Sequence, residues 1–269
     1  MKKQDFILSV FGLKNKTVVL TGSSGLLGTQ YAHVLSEVGA NVVLVDIERK
    51  KNKELERELA KKYHTKPLSV EVDITEENQV KELIKQVLVK YKKIDILINN
   101  AAFTKKHHLE SATFEKYPLE LWEATVATNL RGVFLCCREI GKVMLKQKSG
   151  VIVNISSIYG MVGADQRIYG KSKLNSVSSY ATTKGGIINL TRFLAAHWHR
   201  KNIRVNTMSL GGVYNKQSRQ FVKNYSYRTI LGRMASEDEY NGAILFLASD
   251  ASSYMTGANL VVDGEWTAW

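Results

Sequence analysis

Short apolar runs alternate with amphipathic stretches from one end of the chain to the other. Residues 17–20, Thr-Val-Val-Leu, stop at a Gly/Ser turn, the pattern of a strand buried on both faces. Leu27, Tyr31, Val34, Leu35 and Val38 then recur at helical spacing and end at Gly39, which predicts a helix over 28–38 with a glycine stop. The same alternation predicts strands over 41–46, 68–72, 94–98, 151–155, 203–207 and 258–262. It predicts helices over 51–63, 76–91, 119–146 and 180–201, and the capping-box spacing of Ser236 and Glu239 opens a last helix to Ala248. Strands that alternate with helices pair in parallel and are covered on both faces. The expectation is an α/β fold, a doubly wound and mostly parallel sheet of seven strands. No linker-like stretch interrupts the pattern, so residues 1–269 read as a single domain.

Three irregular stretches, 103–118, 158–179 and 210–236, follow the fourth, fifth and sixth strands. In an open parallel sheet such loops leave the carboxyl ends of the strands, where ligands bind, so the three should rim one cleft.

Composition narrows the partners. The 269 residues are 44% hydrophobic and 23% charged, which excludes a disordered chain, and no apolar run is long enough to span a bilayer. A formal charge of +13 favours anionic ligands. The basic residues are nevertheless scattered, and the densest stretch, 49–66, is interleaved with Glu54, Glu56 and Glu58, the pattern of a solvated helix face. A nucleic-acid partner is not expected, because no basic tract carries the aromatic residues that stack bases. The 2 cysteines, Cys136 and Cys137, are adjacent within an apolar run, so buried thiols are expected and no metal site. The start, Met1-Lys2-Lys3 followed by residues 6–13, imitates a signal peptide only faintly. Its apolar part is short and broken, lacks a small-residue cleavage site and runs straight into a strand. The expected location is cytoplasmic.

The turn Thr21-Gly22-Ser23-Ser24-Gly25-Leu26-Leu27-Gly28 follows a strand and opens a helix, and Asp46 ends the second strand. Glycines permit close backbone approach, and the helix start offers free N–H groups to a pyrophosphate. An acidic residue at that place accepts hydrogen bonds from the ribose hydroxyls of a dinucleotide. The segment resembles the T-G-x-x-x-G-x-G turn of the short-chain dehydrogenase/reductase family, and the likeness extends from about Lys16 to Asp263. Thr21, Gly22 and Gly28 fit the motif, while Leu26 stands where a glycine is usual, with Gly25 one place earlier. Asp73-Ile74 is similar to the family's adenine-contacting pair. Asn99-Asn100-Ala101-Ala102 is similar to its N-N-A-G segment, with Ala102 replacing glycine. The resemblance implies a Rossmann-like fold and a cofactor site formed by Thr21, Gly22, Ser24, Gly25, Leu26, Leu27, Gly28, Asp46, Asp73, Ile74, Asn100, Ala101 and Ala102, joined by Gly211 and Val213 beyond the sixth strand. Asp46 favours NAD by repelling the 2′-phosphate of NADP; Arg49 and Lys50 leave NADP open.

Tyr180 and Lys184 are spaced to share one helix face. A tyrosine of ordinary pKa, about 10, is a poor base at neutral pH, and a nearby cation favours its phenolate. Tyr169 and Lys173 repeat the spacing, but only Tyr180 is followed by a helical pattern and then the strand Ile203-Arg204-Val205. Within the resemblance, Tyr180 and Lys184 correspond to the catalytic pair and also touch the cofactor. Ser157 corresponds to the catalytic serine, and Asn129 to the asparagine that supports a proton-relay water. Leu210-Gly211 replaces the usual Pro-Gly, and Asn215 stands where a threonine often contacts the cofactor.

Ser157 and Tyr180 are 23 positions apart, longer than the family's usual spacing. The insertion brings Arg167, Tyr169, Lys171 and Lys173 toward the cleft; Arg167 and Tyr169 are the candidate substrate residues, the alternative being contact with a neighbouring subunit. Ser157-Ile158-Tyr159-Gly160 with Ile168-Tyr169-Gly170 is similar to reductases grouped with flagellin and surface-sugar modification. The resemblance implies NAD(P)-linked interconversion of a secondary alcohol and a ketone. The substrate would be a small molecule, a sugar or sugar derivative, anionic if the basic loops reach it. Reduction of a 3-oxoacyl thioester, or cofactor binding without chemistry, are the alternatives. A homotetramer or homodimer is expected.

Overall fold

The computed structural model describes residues 3–103, 113–170 and 175–269. Among them, seven strands form one parallel sheet: β1 (Thr17–Thr21), β2 (Asn41–Asp46), β3 (Leu68–Glu71), β4 (Ile96–Asn99), β5 (Gly150–Ser157), β6 (Ile203–Leu210) and β7 (Asn259–Val262). Their order is β3-β2-β1-β4-β5-β6-β7, so the direction of winding reverses between β1 and β4. Ligands of doubly wound sheets bind outside the carboxyl ends at that reversal.

Alternation along each strand divides the core in two. Val19, Val43, Val45, Leu97, Ile152 and Val205 face one side, where α4 (Glu77–Tyr91), α6 (Val133–Gln147) and α7 (Ser178–His197) cover them. Val18, Leu20, Val42, Leu44, Ile98 and Val153 face the other, beneath α2 (Leu26–Glu37), α3 (Arg49–Tyr63) and α9 (Asn241–Ala248). Because both faces are buried, the strands read as continuous apolar runs, which is why the sequence locates all seven.

The helices depart from expectation in five places. Residues before β1 form a helix, α1 (Lys3–Phe11), rather than leading straight into the strand. The long helix expected over 119–146 is α5 (Leu119–Val126) and α6 joined by a stretch at π spacing, Ala127–Gly132. Gly132, at the end of that stretch, packs tightly: a Cβ there would lie 2.7 Å from Ile74 Cδ1. The helix carrying Tyr180 ends at His197, four residues short of the expected 201. Ser236 begins a turn in which its N–H donates to Glu239 Oε2 (2.8 Å), and the helix itself starts only at Asn241. The stretch 210–236 contains a helix that periodicity did not reveal, α8 (Arg219–Tyr227), capped by Ser218. No helix among the described residues is long and apolar enough to cross a membrane.

Candidate active site

One large cleft, of about 1260 Å³, opens at the carboxyl ends of the strands. That exceeds the roughly 300–1,000 Å³ of an ordinary small-molecule pocket and leaves room for two ligands end to end. The three irregular stretches contribute to its rim as expected, through Phe103 and Tyr117, through Ile158, Tyr159 and Tyr169, and through Lys216, Gln217, Phe221 and Tyr225.

At one end lies the turn between β1 and α2. Gly22 adopts φ +65°, and a Cβ on it would fall 2.7 Å from Ala101 Cα, so the turn passes directly beneath the end of β4. A Cβ on Gly28 would stand 2.0 Å from the Gly22 carbonyl oxygen, which makes glycine the condition for α2 to start so close to the turn. Gly25 is extended (φ −76°) as the N-cap, and Leu26 is the first helical residue. No unusual backbone is needed at Leu26, and its side chain stands partly exposed in the cleft. Thr21 is buried, and its Oγ1 accepts the N–H groups of Asn100 and Ala101, both at 3.1 Å. Asn100 Nδ2 donates back to the carbonyls of Thr21 and Gly22. The first amides of α2, which the helix cannot satisfy itself, point into this end.

Asp46 closes β2 beside the turn. Its Oδ2 accepts the Ser24 N–H at 2.9 Å and its Oδ1 the Glu48 N–H at 3.1 Å. Asp73 follows β3 on the same side, next to the Val72 N–H that donates to the Asp46 carbonyl, with its Oδ1 on the Thr75 N–H. A glycine turn, a helix start and a carboxylate arranged in this way fit an adenine dinucleotide: pyrophosphate at the turn, ribose at Asp46.

At the other end α7 meets the end of β5. Ser157 terminates β5, and its hydroxyl accepts the Tyr159 N–H at 3.3 Å. Burial raises the Tyr180 pKa above its ordinary value, and the nearby Ser157 hydroxyl opposes that shift. Lys184, one turn along, is buried; its Nζ donates to the Ile155 carbonyl at 2.8 Å. Burial pulls its pKa down to about 8. The expectation that Lys184 holds the Tyr180 phenol below its ordinary range is therefore not met in the free chain: desolvation dominates both groups, and the ammonium is directed at a backbone oxygen.

Asn129 lies in the π-helical stretch, fully buried, with Oδ1 accepting the Phe103 N–H at 2.6 Å. It does not line the cleft; it fixes the segment that does. Thr21 likewise stands behind the lining. Arg167 is absent from it too, 83% exposed and paired with Asp165 at 2.8 Å. Lys171 and Lys173 lie outside the described residues. The remaining candidates, from Gly22, Ser24 and Gly25 to Tyr180, Lys184, Gly211 and Val213, all border the cleft, as do Ser157 and Tyr169.

Sequence reasoning missed most of the wall beyond Tyr180. Tyr159, Tyr169 and Ser176 line it together. Tyr169 packs on Phe221 of α8 (ring centroids 5.3 Å apart), and Asn224 of the same helix donates to the Ile168 carbonyl at 3.1 Å. Tyr117 meets the hydroxyl of Ser179 at 2.8 Å. The signal available was compositional: tyrosines concentrated in all three of the stretches that rim the cleft.

The chain matches, over residues 23–267, a family model described as enoyl-(acyl carrier protein) reductase. It is 32% identical over 263 residues to an NAD-dependent glycerol dehydrogenase of Listeria innocua, covering 96% of this chain and 96% of that protein. Among solved structures it resembles a short chain dehydrogenase from Leptospira borgpetersenii with bound NAD+ (TM-score 0.82, 34% identity, 95% of this chain and 94% of that one). It also resembles a gluconate 5-dehydrogenase from Burkholderia cenocepacia in complex with NADP and tartrate (TM-score 0.87, 29% identity, 97% and 99%).

Proposed function

The chain belongs to the short-chain dehydrogenase/reductase family and is an NAD(P)-dependent oxidoreductase of alcohols and ketones, and on that premise we propose that it uses NAD to interconvert a secondary alcohol and a ketone of a sugar or sugar derivative. The observation that carries the reading is that Ser157 and Tyr180 border the same end of the cleft, with Lys184 buried one turn along from Tyr180. When bound, the nicotinamide ring supplies or accepts the hydride. Tyr180 gives the proton to the substrate oxygen in reduction and takes it in oxidation, at its phenol oxygen. Ser157 donates to the same substrate oxygen and fixes its position, while the Tyr159 N–H holds the serine hydroxyl in that orientation. Lys184, with its pKa near 8, keeps a positive charge next to the reacting tyrosine at neutral pH. Asn129 holds the Phe103 backbone against the π-helical stretch and so sets the floor on which a relay water would rest.

Asp46 at the end of β2 supports NAD, because a carboxylate there repels the 2′-phosphate of NADP. The wall of Tyr159, Tyr169, Asn175, Ser176 and Gln217 offers hydroxyl and amide groups together with aromatic faces, which suits a compound bearing several hydroxyls. Arg167, held by Asp165 and turned to solvent, is left out of substrate recognition. The same proposal takes the sheet and its helices as a single domain that works in the cytoplasm as a homotetramer or homodimer. A second reading, reduction of a 3-oxoacyl thioester, is favoured by 32% identity over 256 residues to a 3-oxoacyl-[acyl-carrier-protein] reductase of Chlamydia muridarum.

The test is a panel of polyols, aldonic acids and keto sugars, run beside 3-oxoacyl thioesters, with both cofactors. Turnover of a hydroxyl-rich compound with NAD as the better cofactor is the expected result. Turnover confined to the thioesters establishes the second reading instead.

A further inference from the structure

Helix α3 is highly charged, and its buried stripe consists of Asn52, Leu55 and Leu59. The first of these is polar yet wholly inaccessible, with 0% exposure. A buried amide is costly unless its groups are paired. Asn52 pairs them across three elements: Nδ2 donates to the Leu44 carbonyl of β2 at 2.8 Å and to the Val70 carbonyl of β3 at 3.5 Å. Its Oδ1 accepts the hydroxyl of Ser23 at 2.6 Å. Ser23, equally inaccessible, is the second residue of the glycine turn that we assign to the pyrophosphate. Its hydroxyl is therefore committed inward and unavailable to a ligand. The next residue, Ser24, is tied to Asp46 through its N–H at 2.9 Å and lines the cleft.

We infer that Asn52 is a positioning residue for the cofactor: with Ser23 it locks the phosphate-binding turn to α3, so that cofactor affinity depends on a side chain that touches no ligand. The inference rests on the dinucleotide reading of the cleft. Two successive turn residues are held from the β2–α3 side, Ser23 by Asn52 and Ser24 by Asp46. The turn thus keeps its shape with a leucine, Leu26, at the start of α2. Leucine in place of Asn52 would suit the apolar stripe but strand the Ser23 hydroxyl, a buried donor without a partner. The turn would then relax to hydrate that group and lose its fit to the pyrophosphate. The chemical step, at Ser157 and Tyr180 on the far side of the cleft, would be untouched.

The experiment measures dissociation constants for NADH and NADPH by fluorescence titration, with thermal melts, for wild type and the variants Asn52→Leu, Ser23→Ala and the double variant. Each single variant should weaken both cofactors by about tenfold, the consequence of one stranded buried polar group. kcat at saturating cofactor should stay within twofold, measured on whichever substrate the panel identifies. Ser23→Ala is the smaller change and carries the test if Asn52→Leu does not fold. The double variant, which removes both partners, should recover part of the affinity lost in either single variant. Unchanged dissociation constants in a folded single variant overturn the inference, as does a fall in kcat with affinity retained. Failure of the wild-type chain to bind either cofactor instead overturns the dinucleotide reading itself.

Discussion

The ammonium of Lys184 sits 5.5 Å from the centre of the Tyr180 ring, one turn along α7. The nitrogen is spent on the Ile155 carbonyl, so in the free chain the cation flanks the ring instead of bonding the phenol oxygen. The arrangement keeps a charge in a dry place. Desolvation weakens the lysine's hold on its proton and raises the tyrosine's, bringing two groups that normally titrate at similar pH apart.

That separation has a consequence for stability. The folded chain releases the Lys184 proton near pH 8, whereas the unfolded chain keeps it to about 10.5. Between those values the unfolded state binds more protons, so the folded state gains stability as pH rises. Below pH 8 both states are protonated and the burial cost is fully present. Lys184→Met lacks that cost, so its stability relative to wild type should be highest at neutral pH and should fall by about 2 kcal/mol on going to pH 10. Denaturant melts of both proteins at pH 7 and pH 10 measure the difference; a constant difference would show that Lys184 titrates normally.

Tyr180→Phe should lower kcat by about 10³-fold, in the range general acid–base catalysis contributes, while NADH affinity is retained. Tyr169→Phe should stay within about tenfold of wild type and act on KM, because Tyr169 belongs to the wall packed on Phe221, whereas Tyr180 is the tyrosine flanked by Lys184. Steady-state kinetics and cofactor titration of both variants decide which tyrosine reacts.

Asp46 holds the Ser24 and Glu48 N–H groups in the structure and is proposed to select the cofactor, and substitution can separate the two roles. Asp46→Ala removes the charge and also strands the Ser24 N–H that Oδ2 accepts, so it should weaken NADH and NADPH alike while shifting the ratio toward NADPH. Asp46→Asn keeps an acceptor for Ser24. It should move the ratio toward NADPH by about tenfold with a smaller loss overall, since hydrogen bonds to charged groups exceed neutral ones by that order. Titrating both cofactors against both variants is the measurement, and a wild-type preference for NADPH would transfer the ribose assignment to Arg49 and Lys50.

The strands and the cofactor end were legible because each rests on a local signal. A strand buried on both faces is an apolar run, and the glycine turn followed by Asp46 is a spacing. Tyr180, Lys184 and Ser157 were singled out by resemblance to the family's motifs, since the spacing of Tyr180 and Lys184 recurs at Tyr169 and Lys173. The substrate end carries no such signal. Tyr159, Tyr169, Phe221 and Tyr225 come from separate segments, and only their packing around Ile158, Ile168, Met234 and Trp266 makes them one wall. The π-helical stretch was hidden for a related reason: Ala127–Gly132 continues the helical pattern on either side, and a local change from α to π spacing leaves no mark in periodicity. α1 is short, with exposed apolar residues such as Phe6, and its periodicity is weak; α8 is amphipathic but only nine residues long, inside a stretch read as a loop.

Sequence position alone pointed to Arg167 as a reader of substrate; its contacts give that stretch a different logic. Asp165 is the buried partner, 12% exposed against 83% for Arg167. Its Oδ1 accepts the backbone N–H of Arg167 at 3.0 Å and the guanidinium Nε at 2.8 Å, while Oδ2 faces Arg228, just beyond α8, at 3.6 Å. Arg167→Ala removes an exposed half of that arrangement, and exposed substitutions of this kind rarely exceed about 0.5 kcal/mol, so KM and kcat should be unchanged. Asp165→Ala frees the turn that carries Ile168 and Tyr169 from α8, leaving the Asn224 hydrogen bond and the Tyr169–Phe221 contact to hold it. KM should rise several-fold with cofactor affinity constant, because the loosened wall contributes to substrate binding and the turn at Gly22 lies at the other end of the cleft. Kinetics of the two variants side by side test this directly: a rise in KM for Arg167→Ala equal to that for Asp165→Ala would restore the arginine to the substrate site.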